Sequence, residues 1–355
     1  MQKLWKSLII FLLMMIGLTS KGQENHLELL DTIPDKLGFA GSFAGKLGKG
    51  IVSAGGAQFQ DGIPPWDSGV KIWTDKLFYL ENEKSRWVEI GKLPYKVGYG
   101  ASASFNGKFY IAGGSNQQEH FNKVLEISID NQRIKFIELP NLPITLANCS
   151  FSQYGSYWYV VGGQENVDSK TALNRVFKLD FEDLESGWVE LPPIPGNGRI
   201  LSASAANELG LYVFSGASLN DGKRTYLKDG FMFNGSKWVG IESCPVAITA
   251  VSNPGVELQK NQFIFLSGDS GELIDSDLRE NHPGFSRKVY TYTADKNSWE
   301  ITCEIPSQIK TERGEIKEII APVTATAIHW NNSVIIPGGE AQPAVRTNQV
   351  LKFKK

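Results

Sequence analysis

Cysteine is scarce: Cys149, Cys244 and Cys303 are the only three in a chain of 355 residues. An odd number at wide spacing defines no disulfide framework, and the three read as small buried hydrophobes. Histidine is nearly as sparse. His26, His120, His282 and His329 fall at intervals that match no metal-ligand pattern. An excess of either charge is missing too, since 36 Lys and Arg against 38 Asp and Glu leave a formal net charge of -2. That balance excludes the basic footprint of a nucleic-acid-binding protein. The chain has no P-loop, no Gly-x-Ser-x-Gly elbow and no locally supported Cys–His pair. The acidic run Asp269, Glu272, Asp275, Asp277 lacks the order of a calcium loop and reads as solvated.

The apolar run from Leu8 to Leu18 follows Lys3 and Lys6 and precedes the small residues Thr19, Ser20 and Gly22. This is the three-part layout of a secretory signal peptide, and the run is short for a membrane span. Cleavage is expected near Gly22–Gln23, with no cysteine after it to accept a lipid. Residues 1–22 are therefore set aside as a signal peptide, and residues 23–355 are expected to form one exported domain.

Glycine and aromatics are plentiful: 36 Gly with 9 Trp, 11 Tyr and 19 Phe, a composition suited to tight turns between aromatic anchors. They are arranged in a repeat. The phrases Ile51–Gly56, Phe109–Gly114, Trp158–Gly163, Leu211–Gly216, Phe263–Gly268 and Val334–Gly339 each run from apolar residues into Gly-Gly or Ser-Gly. They recur roughly every 50 to 70 residues, the period of a propeller blade. A small-residue strand and a turn precede each phrase, as in Ala101–Phe105 with Asn106-Gly107, a strong hairpin signal. A third strand follows, for example Val124–Ile127, and a fourth often opens on Trp (Trp87, Trp188, Trp238, Trp299). Four antiparallel strands repeated six times predict an all-β, six-bladed β-propeller. The paired glycines are expected near the axis, where blades converge, and the tryptophans between blades. The last copy has three strands of its own, Thr324–His329, Val334–Pro337 and Gln349–Phe353. Leu27–Leu30 is expected to supply the fourth, so that no edge stays open.

The loops after the glycine pairs carry Gln58, Asn116, Gln164 with Glu165, Asp269 and Glu340. Amides and carboxylates gathered at one mouth of the channel suit a polyol held by directional hydrogen bonds. Taken singly, each residue reads more readily as a cap on its own turn. Glu340 and Arg346 flank one loop of the last copy. From the residues alone they are either an ion pair bracing that loop or an acid–base group beside an anion anchor.

Across essentially the whole chain beyond the signal, the pattern resembles the Kelch repeat. The segment Gly339-Glu340-Ala341-Gln342-Pro343-Ala344-Val345-Arg346-Thr347 resembles the active-site loop of the bacterial sialic acid mutarotases (N-acetylneuraminate epimerases), periplasmic Kelch propellers with a Gly-Glu-Ala, Pro, Arg-Thr motif. A second stretch, Gly38–Gly45 with Ala54–Phe59, is similar to the same family. In the better-known members it follows the Glu–Arg loop; here it precedes it, which makes this chain's order circularly permuted. Ser-Gly in the fourth and fifth copies, Pro337, and a short Gln60–Lys71 loop depart from the family pattern.

The resemblance implies a cofactor-independent, metal-free mutarotase in the periplasm acting on a small sugar acid, with no nucleic-acid or membrane partner. Glu340 would be general base and acid, and Arg346 the carboxylate anchor or oxyanion stabiliser. Lys71, Gln58, Asn116 and Gln164 are the expected substrate contacts. The copper-radical chemistry of some Kelch oxidases has no identifiable Tyr, His and Cys ligand set here. The competing expectation is a non-catalytic propeller that binds a glycan or a protein. The oligomeric state, monomer or dimer, stays open.

Overall fold

Each copy of the repeat folds into a four-stranded antiparallel sheet, and six such sheets form a β-propeller. The computed structural model describes residues 26–131, 133–310 and 314–354; the expected signal peptide and its cleavage point lie outside them. From inner to outer strand, the first blade is Phe43–Leu47, Gly50–Ala54, Lys76–Leu80 and Val88–Lys92, and the second is Ala101–Phe105, Lys108–Ala112, Val124–Asp130 and Arg133–Leu139. The third is Ser150–Tyr154, Tyr157–Val161, Val176–Asp180 and Val189–Leu191; the fourth is Ala203–Asn207, Gly210–Phe214, Gly230–Phe233 and Trp238–Ile241. The fifth is Val256–Gln259, Gln262–Leu266, Lys288–Thr293 and Ser298–Glu304. In the sixth, Ile328–Trp330, Ser333–Gln342 and Val345–Phe353 are followed by Leu27–Leu29, with Leu27 opposite Phe353 and Leu29 opposite Leu351.

The glycine pairs have one geometry in all six blades. The first position has φ between +54° and +76°, and the second between +94° and +126°. A left-handed φ near +60° is open to a short polar residue at some cost, whereas values past +90° belong to glycine. This is why serine replaces only the first glycine. Ser215 and Ser267 use their hydroxyls there, Ser215 donating to the Leu227 carbonyl (2.9 Å) and Ser267 to that of Ala321 (3.3 Å). The N–H of the second residue reaches the chain entering the next blade: Gly56 to Val97 O, Gly114 to Leu146 O and Gly163 to Arg199 O, each at 2.8 Å. Gly56→Ala should therefore lower the melting temperature, by roughly 1–3 kcal/mol of stability. Its Cβ would lie 2.4 Å from Ser42 Oγ at a φ of +97°. A melting curve identical to wild type would show that the position tolerates a side chain.

A second ring lies at the axis. Just before each inner strand, one residue per blade adopts positive φ: Gly41, Tyr99, Asn148, Leu201, Ala250 and Thr324, at +51° to +66°. Their backbones form a closed circuit. The N–H of Tyr99 donates to Gly41 O, Asn148 to Tyr99, Leu201 to Asn148, Ala250 to Leu201, Thr324 to Ala250, and Gly41 back to Thr324, at 2.6–2.9 Å. Such a circuit encircles the channel and fixes where five side chains enter it.

Tryptophans bridge neighbouring blades. The indole N–H groups of Trp188, Trp238 and Trp299 donate to Pro140, Pro192 and Glu242 carbonyls at 3.0, 2.7 and 3.1 Å, at the outer turn of the preceding blade. Buried aromatic and aliphatic side chains fill the gaps between sheets, for example Tyr212, Phe214, Phe265 and Tyr292 between the fourth and fifth blades. Cys149 and Cys244 are buried in such gaps and Cys303 is half-buried; burial pushes the Cys149 thiol up to about 12.

Three hairpins stand out from the blades: Ala57–Phe59 with Lys71–Trp73, Ala217–Asn220 with Lys223–Tyr226, and Gln308–Lys310 with Ile316–Glu318. The sixth blade departs from the sequence expectation in a related way. The segment expected as a loop carrying Glu340 and Arg346 is a continuation of two strands, in which the two residues face each other across the ladder. Gly339, at φ +126°, absorbs a bulge after Pro337, so pairing resumes beyond the glycine pair and runs to a turn at Pro343 and Ala344.

Candidate active site

The extended hairpin of the sixth blade holds Glu340 and Arg346 against the channel mouth. Arg346 Nη1 donates to Glu340 Oε1 at 2.7 Å. The guanidinium side chain is only 4% exposed and the carboxylate side chain 20%. One strand of the first blade's hairpin completes the seat: Arg346 Nε donates to Ala57 O at 3.2 Å, and its guanidinium carbon lies 5.2 Å from the centre of the Phe59 ring. Burial alone would pull the guanidinium pKa down; the Glu340 carboxylate and the Tyr99 hydroxyl outweigh it and leave it raised. Arg346 is thus a fixed cation.

The two oxygens of Glu340 differ. Oε1 accepts from Arg346 and from the Ala344 N–H at 3.1 Å, while Oε2 has the Thr324 hydroxyl at 3.5 Å. The first oxygen is held by two donors and the second has only a long contact. A carboxylate clamped on one side and lightly engaged on the other suits proton exchange with a bound molecule.

Both residues line a cavity of about 520 Å³ at one mouth of the channel, within the range of small-molecule sites. Tyr99, Asn148, Leu201, Ala250 and Thr324 of the axial ring form its floor. Lys71 also enters it, with its ammonium 4.1 Å from the Tyr99 ring centre and 4.9 Å from that of Trp73. Tyr226, Thr249 and Asp269 line another part of the wall, and the segment from Leu273 to Phe285 forms the rim. Gln342 ties that rim to the Glu340 hairpin through a 2.5 Å bond to the His282 carbonyl.

Of the six residues expected from sequence as the acid–base pair or substrate contacts, the structure brings Glu340, Arg346 and Lys71 together at this cavity, where Asp269 of the post-glycine loops joins them. The other three fall outside its lining. Asn116 uses Oδ1 to accept the Gln118 and Glu119 N–H groups of its own turn. Gln164 lies one step back: its Oε1 accepts from Asn148 at 3.0 Å and its Nε2 donates to Ser169 O, so it orients a floor residue. Gln58 sits between Ala57 and Phe59, and strand alternation turns its side chain away from theirs. Its Oε1 is buried with no hydrogen-bond partner among the described residues.

The residues missed from sequence are Tyr99, Asn148, Thr324, Tyr226 and Thr249. Four of them precede inner strands, a place that aligning the copies on those strands, and not only on the glycine pairs, would have marked.

Comparison with known proteins adds three likenesses. No protein-family model matches the chain. A Salmonella enteritidis PT4 protein named N-acetylneuraminate epimerase is 30% identical over 208 residues, covering 51% of this chain and 50% of that one. A Vibrio cholerae serotype O1 protein named Kelch domain-containing protein is 24% identical over 210 residues, covering 51% and 55%. The chain thus spans about half the length of these curated relatives. The solved structure of YjhT matches with a TM-score of 0.66 over 92% of this chain and 97% of that one at 15% identity, a likeness of fold.

Proposed function

We propose that the protein is a mutarotase that interconverts the α and β anomers of N-acetylneuraminate without a cofactor. The observation that carries this reading is the asymmetric Glu340 carboxylate, clamped at Oε1 and lightly engaged at Oε2, beside a buried guanidinium at the mouth of a ligand-sized cavity. The name of the Salmonella relative supports the choice of sugar.

The anomeric hydroxyl gives its proton to Glu340 Oε2. The bond between the anomeric carbon and the ring oxygen breaks, and the ring oxygen takes a proton back from the same carboxyl group. The open chain then holds a ketone. Rotation presents its other face, the ring oxygen attacks, and the proton moves in reverse. No atom is gained or lost, and Glu340 ends as it began. Arg346, with Lys71 nearby, holds the substrate carboxylate or the oxygen that bears charge as the ring opens. The propeller's ring of blades, entered in a permuted order, would present this hairpin from the last blade of the chain.

The test starts from freshly dissolved α anomer and follows both anomers by proton NMR. The protein should speed the approach to equilibrium without changing the final ratio. A time course equal to that in buffer would remove the enzyme reading.

Arg346→Lys should raise the Michaelis constant by about tenfold or more. Lysine keeps the charge but cannot bond Glu340, the Ala57 carbonyl and a substrate carboxylate in the fixed fork of a guanidinium. An unchanged Michaelis constant in steady-state anomerisation assays would count against an anchoring role.

A further inference from the structure

Going round the mouth from the sixth blade, away from Lys71, the cavity wall carries a polar cluster that the acid–base mechanism does not use. Asp269 is held on every side. Its backbone pairs in both directions with Thr249 (3.0 and 2.7 Å), Oδ1 accepts the Gly271 N–H at 2.9 Å, and Oδ2 accepts the Tyr226 hydroxyl at 2.6 Å. The Tyr226 ring packs so closely on Gly271 that a Cβ there would lie 2.4 Å from it. Burial and the bonded carboxylate push the Tyr226 phenol up, against the opposing effect of Arg224, so it stays protonated and keeps donating. Thr249 itself is 2% exposed, and its Oγ1 has no hydrogen-bond partner among the described residues.

A buried hydroxyl without a partner is unfavourable unless something else supplies the bond. Thr249 lines a ligand-sized cavity, so a bound molecule can supply it. The chemistry of that molecule follows from the cluster. An ionised carboxylate with one donor on each oxygen still has accepting capacity and nothing to give. It therefore welcomes hydroxyl or amide donors and repels a carboxylate. Arg346 and Lys71 elsewhere on the same wall have the opposite preference. Arg224 also lines the cavity beside Tyr226, and Arg279 at the rim pairs with Asp277 at 3.0 Å; what sets this cluster apart is the demand for hydroxyl partners at Asp269 and Thr249.

We propose that Tyr226, Thr249 and Asp269 form a second subsite that binds the hydroxyl-bearing exocyclic chain of the sugar acid. The inference rests on the mutarotase reading. Its test compares intact N-acetylneuraminate with the same sugar whose exocyclic chain has been shortened by mild periodate oxidation and borohydride reduction of its methyl glycoside, followed by acid hydrolysis to free the anomeric centre. Thr249→Val and Asp269→Asn should each raise the Michaelis constant for the intact sugar about tenfold, the scale of one lost hydrogen bond to a desolvated group, with turnover changed much less. The wild-type protein should show a similar rise when the chain is shortened, and wild type and variants should then fall within about twofold of each other. Thr249→Ser, which restores the hydroxyl, should recover the preference for the intact chain. If Asp269→Asn proves unstable in a thermal melt, the Val and Ser variants at Thr249 decide the matter. Equal preference for the intact sugar in wild type and Thr249→Val would overturn the subsite while leaving the mutarotase reading standing. A wild-type protein that accelerates neither sugar would overturn both.

Discussion

Replacing Glu340 with Gln should leave a folded propeller that interconverts anomers about 10² to 10⁴-fold more slowly, the usual contribution of a general acid–base group. The amide has the shape of the carboxylate, and its oxygen can still accept from Arg346 and from the Ala344 N–H that closes the hairpin turn. It cannot take up and return a proton. Some stability should be lost as well, because the guanidinium opposite is 4% exposed and loses its counter-charge. Removing one partner outright from a buried pair costs about 3–5 kcal/mol, and the retained hydrogen bonds place the Gln variant below that figure. Initial rates and a thermal melt on the same preparation separate the two effects. A folded variant with wild-type turnover would reduce the pair to a brace for the hairpin.

A chain beginning at Pro34 should melt far below one beginning at Glu24, or aggregate. It lacks Leu27–Leu29, the outer strand of the sixth blade, and exposes the edge of Val345–Phe353. Leu27 packs with Val334, Ile336, Leu351 and Phe353, while Ile33 packs with Ile335 and Val350. Losing such side chains costs roughly 1.5–3 kcal/mol each, against a total stability of about 5–15 kcal/mol for a typical protein.

An ionic latch goes with the strand. Lys352, 4% exposed, pairs with Glu83 of the first blade and with Glu28 at 3.4 Å, and Lys354 pairs with Glu28 at 2.7 Å. Burial works against both carboxylates, but the lysines outweigh it and hold Glu28 and Glu83 below the usual carboxylate range. A lowered folded-state pKa means that the latch is fully present above the ordinary range and is lost as pH falls through the folded-state value. The two chains should therefore differ more at neutral pH than in acid. Equal melting temperatures at neutral pH would contradict a structural role for the strand.

Much of this architecture is legible in the sequence because it repeats. Six apolar phrases ending in small residues impose six sheets, and the left-handed backbone at each second glycine tolerates nothing else. The hairpin at Asn106-Gly107 is local chemistry, with both residues at positive φ in the structure. The site is legible only in part. Glu340 and Arg346 are close in sequence and fall on one motif, so they were found. Asn116 and Gln164 sit in loops equivalent in sequence, but each is consumed by nearby backbone or side-chain partners, and no composition rule separates a turn cap from a ligand contact. Tyr226 and Thr249 were hidden because their role arises from long-range meeting: a hairpin on the fourth blade lays the phenol onto Asp269, 43 residues further along. The extension of the last two strands past Gly339 was hidden too, since a glycine pair reads as an end to pairing and here is a bulge within it.

The central question is whether the cavity turns its ligand over or merely holds it. Proton exchange spectroscopy on an equilibrium mixture of N-acetylneuraminate anomers, with protein at about one-hundredth of the sugar concentration, measures this directly. Catalysis through Glu340 predicts cross-peaks between the two anomers that grow with protein concentration, an unchanged anomer ratio, and loss of the protein-dependent exchange in the Glu340→Gln variant. Broadened signals from one anomer with no exchange between the two would show a binding propeller and contradict the central claim.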